Sequence, residues 1–190
     1  MSYYSISIDR INKLLETTPL ADGGKTDTIR EYSIEFRNVD FSYNEKQVLN
    51  NVSFKLPSHS LTAFVGPSGS GKTTITRLIA RFWDVNRGEI LLGNINIKNY
   101  SQEDLLSQIS IVFQDVYLFN DTVINNIHMA KPEAELEEVY LAAQKARCHE
   151  FINSLPEKYN TMIGESGNTL SGGEKQRISI ARAILKDAPV

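Results

Sequence analysis

The sequence predicts a mixed α/β domain, and three observations lead there. Apolar residues alternate in the first half, helical spacing takes over in the second, and a glycine-rich turn joins a strand-like run to a helix-like one. At 190 residues the chain is long enough to build one domain with a buried core. Lys+Arg number 20 against 23 Asp+Glu, a net charge of −3, and 41% of residues are hydrophobic. These values fit an ordinary soluble domain. They argue against a general binder of nucleic acid or anionic membrane, which carries a basic excess. No apolar run reaches the roughly 18 residues that span a bilayer, and Met1 to Ser5 does not begin a secretory signal. The single cysteine, Cys148, excludes an intrachain disulfide and suits a reducing compartment. A soluble cytosolic domain is the expectation.

Taken in order, Ile8, Ile11, Leu14 and Leu15 stand at helical spacing, with Asp9, Arg10, Asn12 and Lys13 between them. Thr17 to Arg30, with Pro19 and Gly23-Gly24, reads as a linker. Ile34, Phe36, Val39 and Phe41 then alternate, a turn follows at Asn44-Glu45-Lys46, and Val48 to Leu56 reads as a second strand. Leu61 to Val65 has the apolar run of a buried strand. Ile75, Leu78, Ile79 and Phe82 are spaced as an amphipathic helix. Gly88 to Ile97 reads as a hairpin around Gly93-Asn94, and Ile109 to Phe113 as another strand. Leu136, Val139, Tyr140 and Ala143 line one face of a helix between Glu133 and Arg147, and a last helix runs from Ser171 to about Lys186.

Chemistry concentrates in two motifs. Gly66-Pro67-Ser68-Gly69-Ser70-Gly71-Lys72-Thr73-Thr74 matches G-x-x-x-x-G-K-[ST], directly after the Leu61–Val65 run. Glycines let successive backbone N–H groups converge on phosphate oxygens, and the helix that starts there aims its positive end at the same anion. Lys72 can reach the β and γ phosphates, and the Thr73 hydroxyl can ligate Mg²⁺. By composition alone the four fixed positions co-occur in about one chain in a hundred of this length. The strand before and helix after favour a nucleoside triphosphate over an incidental turn.

The second motif is Leu170-Ser171-Gly172-Gly173-Glu174-Lys175-Gln176-Arg177. Ser171 is a good N-cap, and Glu174 three residues on completes a capping box. A helix start of that kind does not explain Gly172 and Gly173, which cost helix stability of order 1 kcal/mol each. This stretch resembles the signature sequence of ATP-binding-cassette (ABC) ATPases. The resemblance covers nearly the whole chain. It implies a P-loop NTPase (RecA-like) core with an antiparallel β subdomain and a helical subdomain. It also implies ATP and Mg²⁺ as cofactors, and a head-to-tail dimer with a second nucleotide-binding domain whose ATP faces Leu170, Ser171, Gly172, Gly173 and Glu174.

Other residues take roles from that resemblance. Tyr43 resembles the aromatic that stacks on adenine, although a strand tyrosine packed in the core fits the residue too. Gln114 resembles the glutamine that contacts Mg²⁺ and the attacking water. Phe113 to Ile127 is similar to exporter-type ABC proteins, in which a membrane domain is commonly fused in the same chain and contacts this region. Residues 1–30 resemble the linker from such a domain, although residues 1–16 fit a surface amphipathic helix equally well. The resulting division is 1–30 linker, 31–113 β subdomain and phosphate-loop core, 114–170 helical subdomain, and 171–190 signature helix. The expected localisation is the cytoplasmic face of a membrane.

Three departures qualify the resemblance. His59 occupies a turn where relatives often have glycine, and Met162 stands where many exporters have a glutamate, Glu165 being a different position. In the family a strand ending in an Asp and the general-base Glu follows the signature helix, then a histidine; here Asp187-Ala188-Pro189-Val190 only reaches its start. The expectation is that this piece lacks the C-terminal part of the core and the base, and so essentially does not hydrolyse ATP although the full protein does. His59, His128 and His149 have no metal-ligand spacing, and Cys148 reads as a packing residue. Two other functions compete with the exporter domain: a soluble ABC ATPase acting on DNA or ribosomes, and a non-catalytic interaction fragment. The first calls for a coiled-coil or basic insertion between Gln114 and Leu170, but that segment is compact and carries the acidic Glu133–Glu138 run. An unrelated phosphate-loop kinase or GTPase lacks a reason for Leu170 to Arg177.

Overall fold

The computed structural model describes residues 8, 11, 12, 15, 20–24, 31–164 and 170–190. Ile8, Ile11, Asn12 and Leu15 are helical, and the two isoleucines and Leu15 are exposed. Asp9, Arg10, Lys13, Leu14, Pro19 and Glu165, all invoked above, lie outside the described residues. The chain divides into two compact units, Met1–Leu105 and Leu106–Val190.

In the first unit, strands β1 (Ile34–Tyr43), β2 (Lys46–Leu56), β3 (Arg87–Leu92) and β4 (Ile95–Asn96) form an antiparallel sheet in the order β2-β1-β3-β4. β1 alternates as its sequence demands, burying Ile34, Phe36, Val39 and Phe41. Its pairing with β2 is broken by bulges, where Asn38 (φ 48°) and Asn51 (φ 49°) both adopt left-handed backbone. Asparagine tolerates that region, and the Asn38 amide donates across the break to Asn51 Oδ1 at 3.0 Å. Gly93 and Asn94, with φ 59° and 66°, make the two-residue turn that joins β3 to β4. Helix α1 (Lys72–Ile79) buries Ile75 and Leu78.

Two expected strands are not formed. Leu61 to Val65 carries no strand ladder, and Leu61 and Val65 are 102% and 90% exposed. An apolar run marks backbone suited to burial, but a strand exists only where a neighbour supplies hydrogen bonds; of this run only Phe64 packs, on Phe54 at 5.7 Å between centroids. Ile109 to Phe113 is likewise irregular. Its one trace of pairing is at Val190, whose N–H donates to Gln108 O and whose carbonyl accepts from Ser110 N–H, bracketing buried Ile109. The helix expected through Phe82 ends at Ile79, because Arg81 (φ 52°) turns the backbone left-handed. His59 is also left-handed at φ 54°, which gives the physical reason that glycine suits that turn.

The second unit is helical: α2 (Gln102–Ser107) precedes and overlaps its start, then come α3 (Val123–His128), α4 (Leu136–Lys145), α5 (His149–Ser154) and α6 (Gly172–Lys186). A two-strand ladder pairs β5 (Asp121–Thr122) with β6 (Met162–Ile163), placing half-exposed Met162 opposite Thr122. Val123, Ile127, Val139, Ala142, Ala143, Ile178 and Ala181 belong to its core. Leu136 differs from expectation and is 51% exposed: it is the first residue of α4, at the edge of the Val139–Ala142–Ala143–Ala146 stripe. The acidic run is a solvated face, with Glu138 paired to Lys131 at 2.8 Å and bonded to Glu135 N–H. Cys148 is fully buried, its thiol donates to Ala143 O, and burial pushes its pKa up to about 11, so it packs as a neutral side chain.

Candidate functional site

The phosphate loop is built by the end of one element and the start of another. Gly71 is the N-cap of α1 at φ 90°, a conformation that a residue with a Cβ rarely adopts. An added Cβ would also lie 2.9 Å from the end of the Leu49 side chain of β2, which would have to shift. The cap offers no side-chain hydrogen bond and the first turn holds no acidic residue. Like any helix start, α1 therefore presents N–H groups without intrahelical acceptors, together with the positive end of its dipole. Thr73 stands exposed in that turn, while Thr74 is buried. The Lys72 ammonium folds over the loop and donates to Gly66 O at 3.0 Å, Pro67 O at 2.7 Å and Ser70 Oγ at 3.4 Å. A cation held by neutral acceptors is set to exchange them for phosphate oxygens.

Tyr43 ends β1 in an aromatic cluster. Its ring meets Phe41 edge-to-face at 4.8 Å and Trp83 at 5.1 Å. The packed-strand reading thus describes the contacts its ring makes. Its hydroxyl is buried without a hydrogen-bond partner, so packing holds the ring where it is.

In the second unit, the signature helix begins as its sequence requires. Ser171 N–H donates to Glu174 Oε2 at 2.7 Å and Glu174 N–H to Ser171 Oγ at 3.4 Å. Bonds from Ser171 hold the Glu174 carboxyl below its ordinary pKa, so it stays ionised. Leu170 is buried and anchors the turn, whereas Gly172 and Gly173 are exposed. A Cβ at Gly172 would meet nothing within 4 Å, and at Gly173 only the Arg177 side chain at 3.6 Å. Neither glycine has a left-handed backbone. Nothing among the described residues calls for them. Gln114 stands exposed at a bend, next to Phe113, whose carbonyl accepts from Gln176 of α6 at 3.4 Å.

Sequence reasoning missed Asn126 and Arg182, which organise the segment after Gln114. Asn126 is fully buried; its amide donates to Phe119 O, Asp121 O and Thr122 O, and its Oδ1 accepts from Phe119 N–H. Arg182 of α6 donates to Asn126 Oδ1 at 2.6 Å and to Tyr117 O at 2.8 Å, and also bonds the Asn126 carbonyl. The only sequence cue was an Asn-Asn pair inside an apolar stretch. Among the described residues no cluster of three or more His, Cys, Asp or Glu side chains stands ready for a metal ion. His128 bonds Ala134 O, and His149 bonds Tyr159 and Asn153.

A family model described as ABC transporter matches residues 49–190. The chain belongs to the ABC transporter family. Among its relatives, the ATP-dependent lipid A-core flippase of Haemophilus influenzae is 47% identical over 83% of this chain and 27% of that protein. The mitochondrial ABC transporter B family member 24 of Arabidopsis thaliana is 48% identical over 83% of this chain and 23% of its own length. A solved bacterial Atm1-family ABC exporter with ATP bound superposes with a TM-score of 0.89 at 40% identity, covering 96% of this chain and 33% of that one. The chain thus spans about a quarter to a third of the relatives it matches. As an ABC nucleotide-binding domain it has the fold expected of it, with an antiparallel β sheet and a helical part. No helix among the described residues is long and apolar enough to cross a membrane.

Proposed function

We propose that this chain is the ATP-binding domain of an exporter, taking Mg-ATP into a head-to-tail dimer, and that the protein containing it hydrolyses ATP to drive transport across a membrane. The observation that carries this reading is the pair Gly172-Gly173, exposed at a capped helix start and needed by neither backbone nor packing. A side chain missing for no internal reason leaves room for an external group, and a helix N-terminus selects an anion. With α1 already open to phosphate, a second anion-facing helix start fits the ATP held by a partner domain.

The roles then divide by chemistry. Backbone N–H groups of residues 66–74 cradle the phosphates and Lys72 neutralises them, Tyr43 supplies a face for the base, and Gln114 orients the attacking water. Thr73, in the first turn of α1, is an exposed oxygen donor, a hard ligand of the kind Mg²⁺ takes beside phosphate oxygens and water, and would hold it. When bound, the ion neutralises charge on the phosphates. A membrane domain fused upstream would contact residues 114–127, where Tyr117 and Phe119 are exposed beside Gln114, and the domain would sit on the cytoplasmic face. The exporter names of the relatives support this over a soluble ATPase acting on DNA or ribosomes.

Calorimetry combined with sedimentation tests the reading. Mg-ATP is expected to bind saturably at one site per chain and to promote self-association, and Gly173→Asp is expected to keep the binding while losing the association. Wild-type protein that binds no Mg-ATP would refute the proposal.

A further inference from the structure

The turn after α1 is built more firmly than a connecting loop needs. Arg81, 1% exposed, donates from Nε to Asp84 at 3.0 Å and from its guanidinium to Tyr100 O and Ala21 O. Asn86 accepts from Ser42 N–H at 2.7 Å through its side chain and donates its own N–H to Asp40 O at 3.0 Å. The turn from 81 to 86 is therefore pinned at both ends, the second time to the residues of β1 just before Tyr43. What it carries between the pins is Trp83, the chain's only tryptophan. The ring is 40% exposed, and the part that is covered lies against other aromatic rings. Its indole lies nearly perpendicular to the Tyr43 ring, at 88° and 5.1 Å, and also touches Phe41 and Phe82. Tyr43 has no hydrogen bond from its hydroxyl to fix its rotation, and its other aromatic neighbour, Phe41, lies two residues away on the same strand. Trp83 is the contact that ties the Tyr43 ring to the helix of the phosphate loop.

We propose that Trp83 is a positioning residue for nucleotide recognition: it sets the Tyr43 ring at a fixed orientation relative to the phosphate loop, and so supplies the preference for a triphosphate that carries a planar base. This deepens the reading given above and rests on Tyr43 meeting the base. A phosphate-only ligand engages α1 and Lys72 but not the ring, so it is blind to Trp83.

The probes are Mg-ATP and Mg-triphosphate, the latter an inorganic ligand with no base. Stacking of a base on an aromatic ring decides the expected size of the effect. Trp83→Ala is expected to weaken Mg-ATP binding about five- to tenfold and to leave Mg-triphosphate binding unchanged, with Trp83→Phe within about twofold of wild type. In a Tyr43→Ala background the Trp83→Ala change is expected to cost nothing further, which separates positioning from general loosening. In the wild-type protein, tryptophan emission is expected to change with Mg-ATP and not with Mg-triphosphate. Equal losses for both ligands, or unchanged Mg-ATP binding in Trp83→Ala, would overturn the proposal. Should Trp83→Ala fail to fold, an emission response identical for both ligands in the wild type would overturn it as well. Wild-type protein that holds Mg-ATP no better than Mg-triphosphate would instead remove the base contact itself, and the inference with it.

Discussion

Lys72→Ala weakens Mg-ATP binding roughly ten- to a hundredfold, the value of one or two charge-assisted hydrogen bonds to phosphate. The fold is expected to survive, because the ammonium is bonded only to Gly66 O, Pro67 O and Ser70 Oγ around an exposed loop, where water can replace it. Calorimetric titration reads the affinity, and a denaturant melt of the same samples reads the stability. An alanine variant with unchanged affinity would remove the phosphate loop from the site.

Asn126→Ala is expected to act the other way, on stability first. The amide satisfies three carbonyls and one N–H within a fully buried position, and shares its oxygen with Arg182. Truncation leaves these part-buried groups without the partner that satisfies them. Each unsatisfied group costs about 1–3 kcal/mol, and relaxation recovers part of it, so a net loss of about 3–4 kcal/mol is expected. Urea unfolding of wild type and variant measures it as a fall in the midpoint at constant slope. A loss under about 1 kcal/mol would show that the Arg182–Asn126 clamp does not hold the 117–126 segment.

What could be read from sequence is what is decided locally. The β1–β2 pair, the Gly93-Asn94 turn, the Gly71 cap and the Ser171–Glu174 box are each settled by residues within a few positions of one another. Leu61–Val65 and Ile109–Phe113 failed as strands because a strand is a property of two segments and the sequence displays only one. Asn126 and Arg182 were invisible for a related reason: they meet across 56 positions, and neither has a local pattern that announces a partner. Trp83 reads as one more apolar residue past a helix, and only the turn pinned by Arg81 and Asn86 gives it a role. The signature glycines are the reverse case. Their spacing stands out in sequence, and among the described residues neither backbone nor packing calls for them.

The head-to-tail arrangement is tested most directly by mixing two defective proteins. Lys72→Ala has an intact signature but a weakened phosphate loop, and Gly173→Asp has an intact loop but a blocked signature. Sedimentation velocity in Mg-ATP is expected to show neither protein associating alone, and the mixture forming a dimer with one bound ATP. Association of Gly173→Asp alone, as strong as wild type, or no association in the mixture, would contradict it.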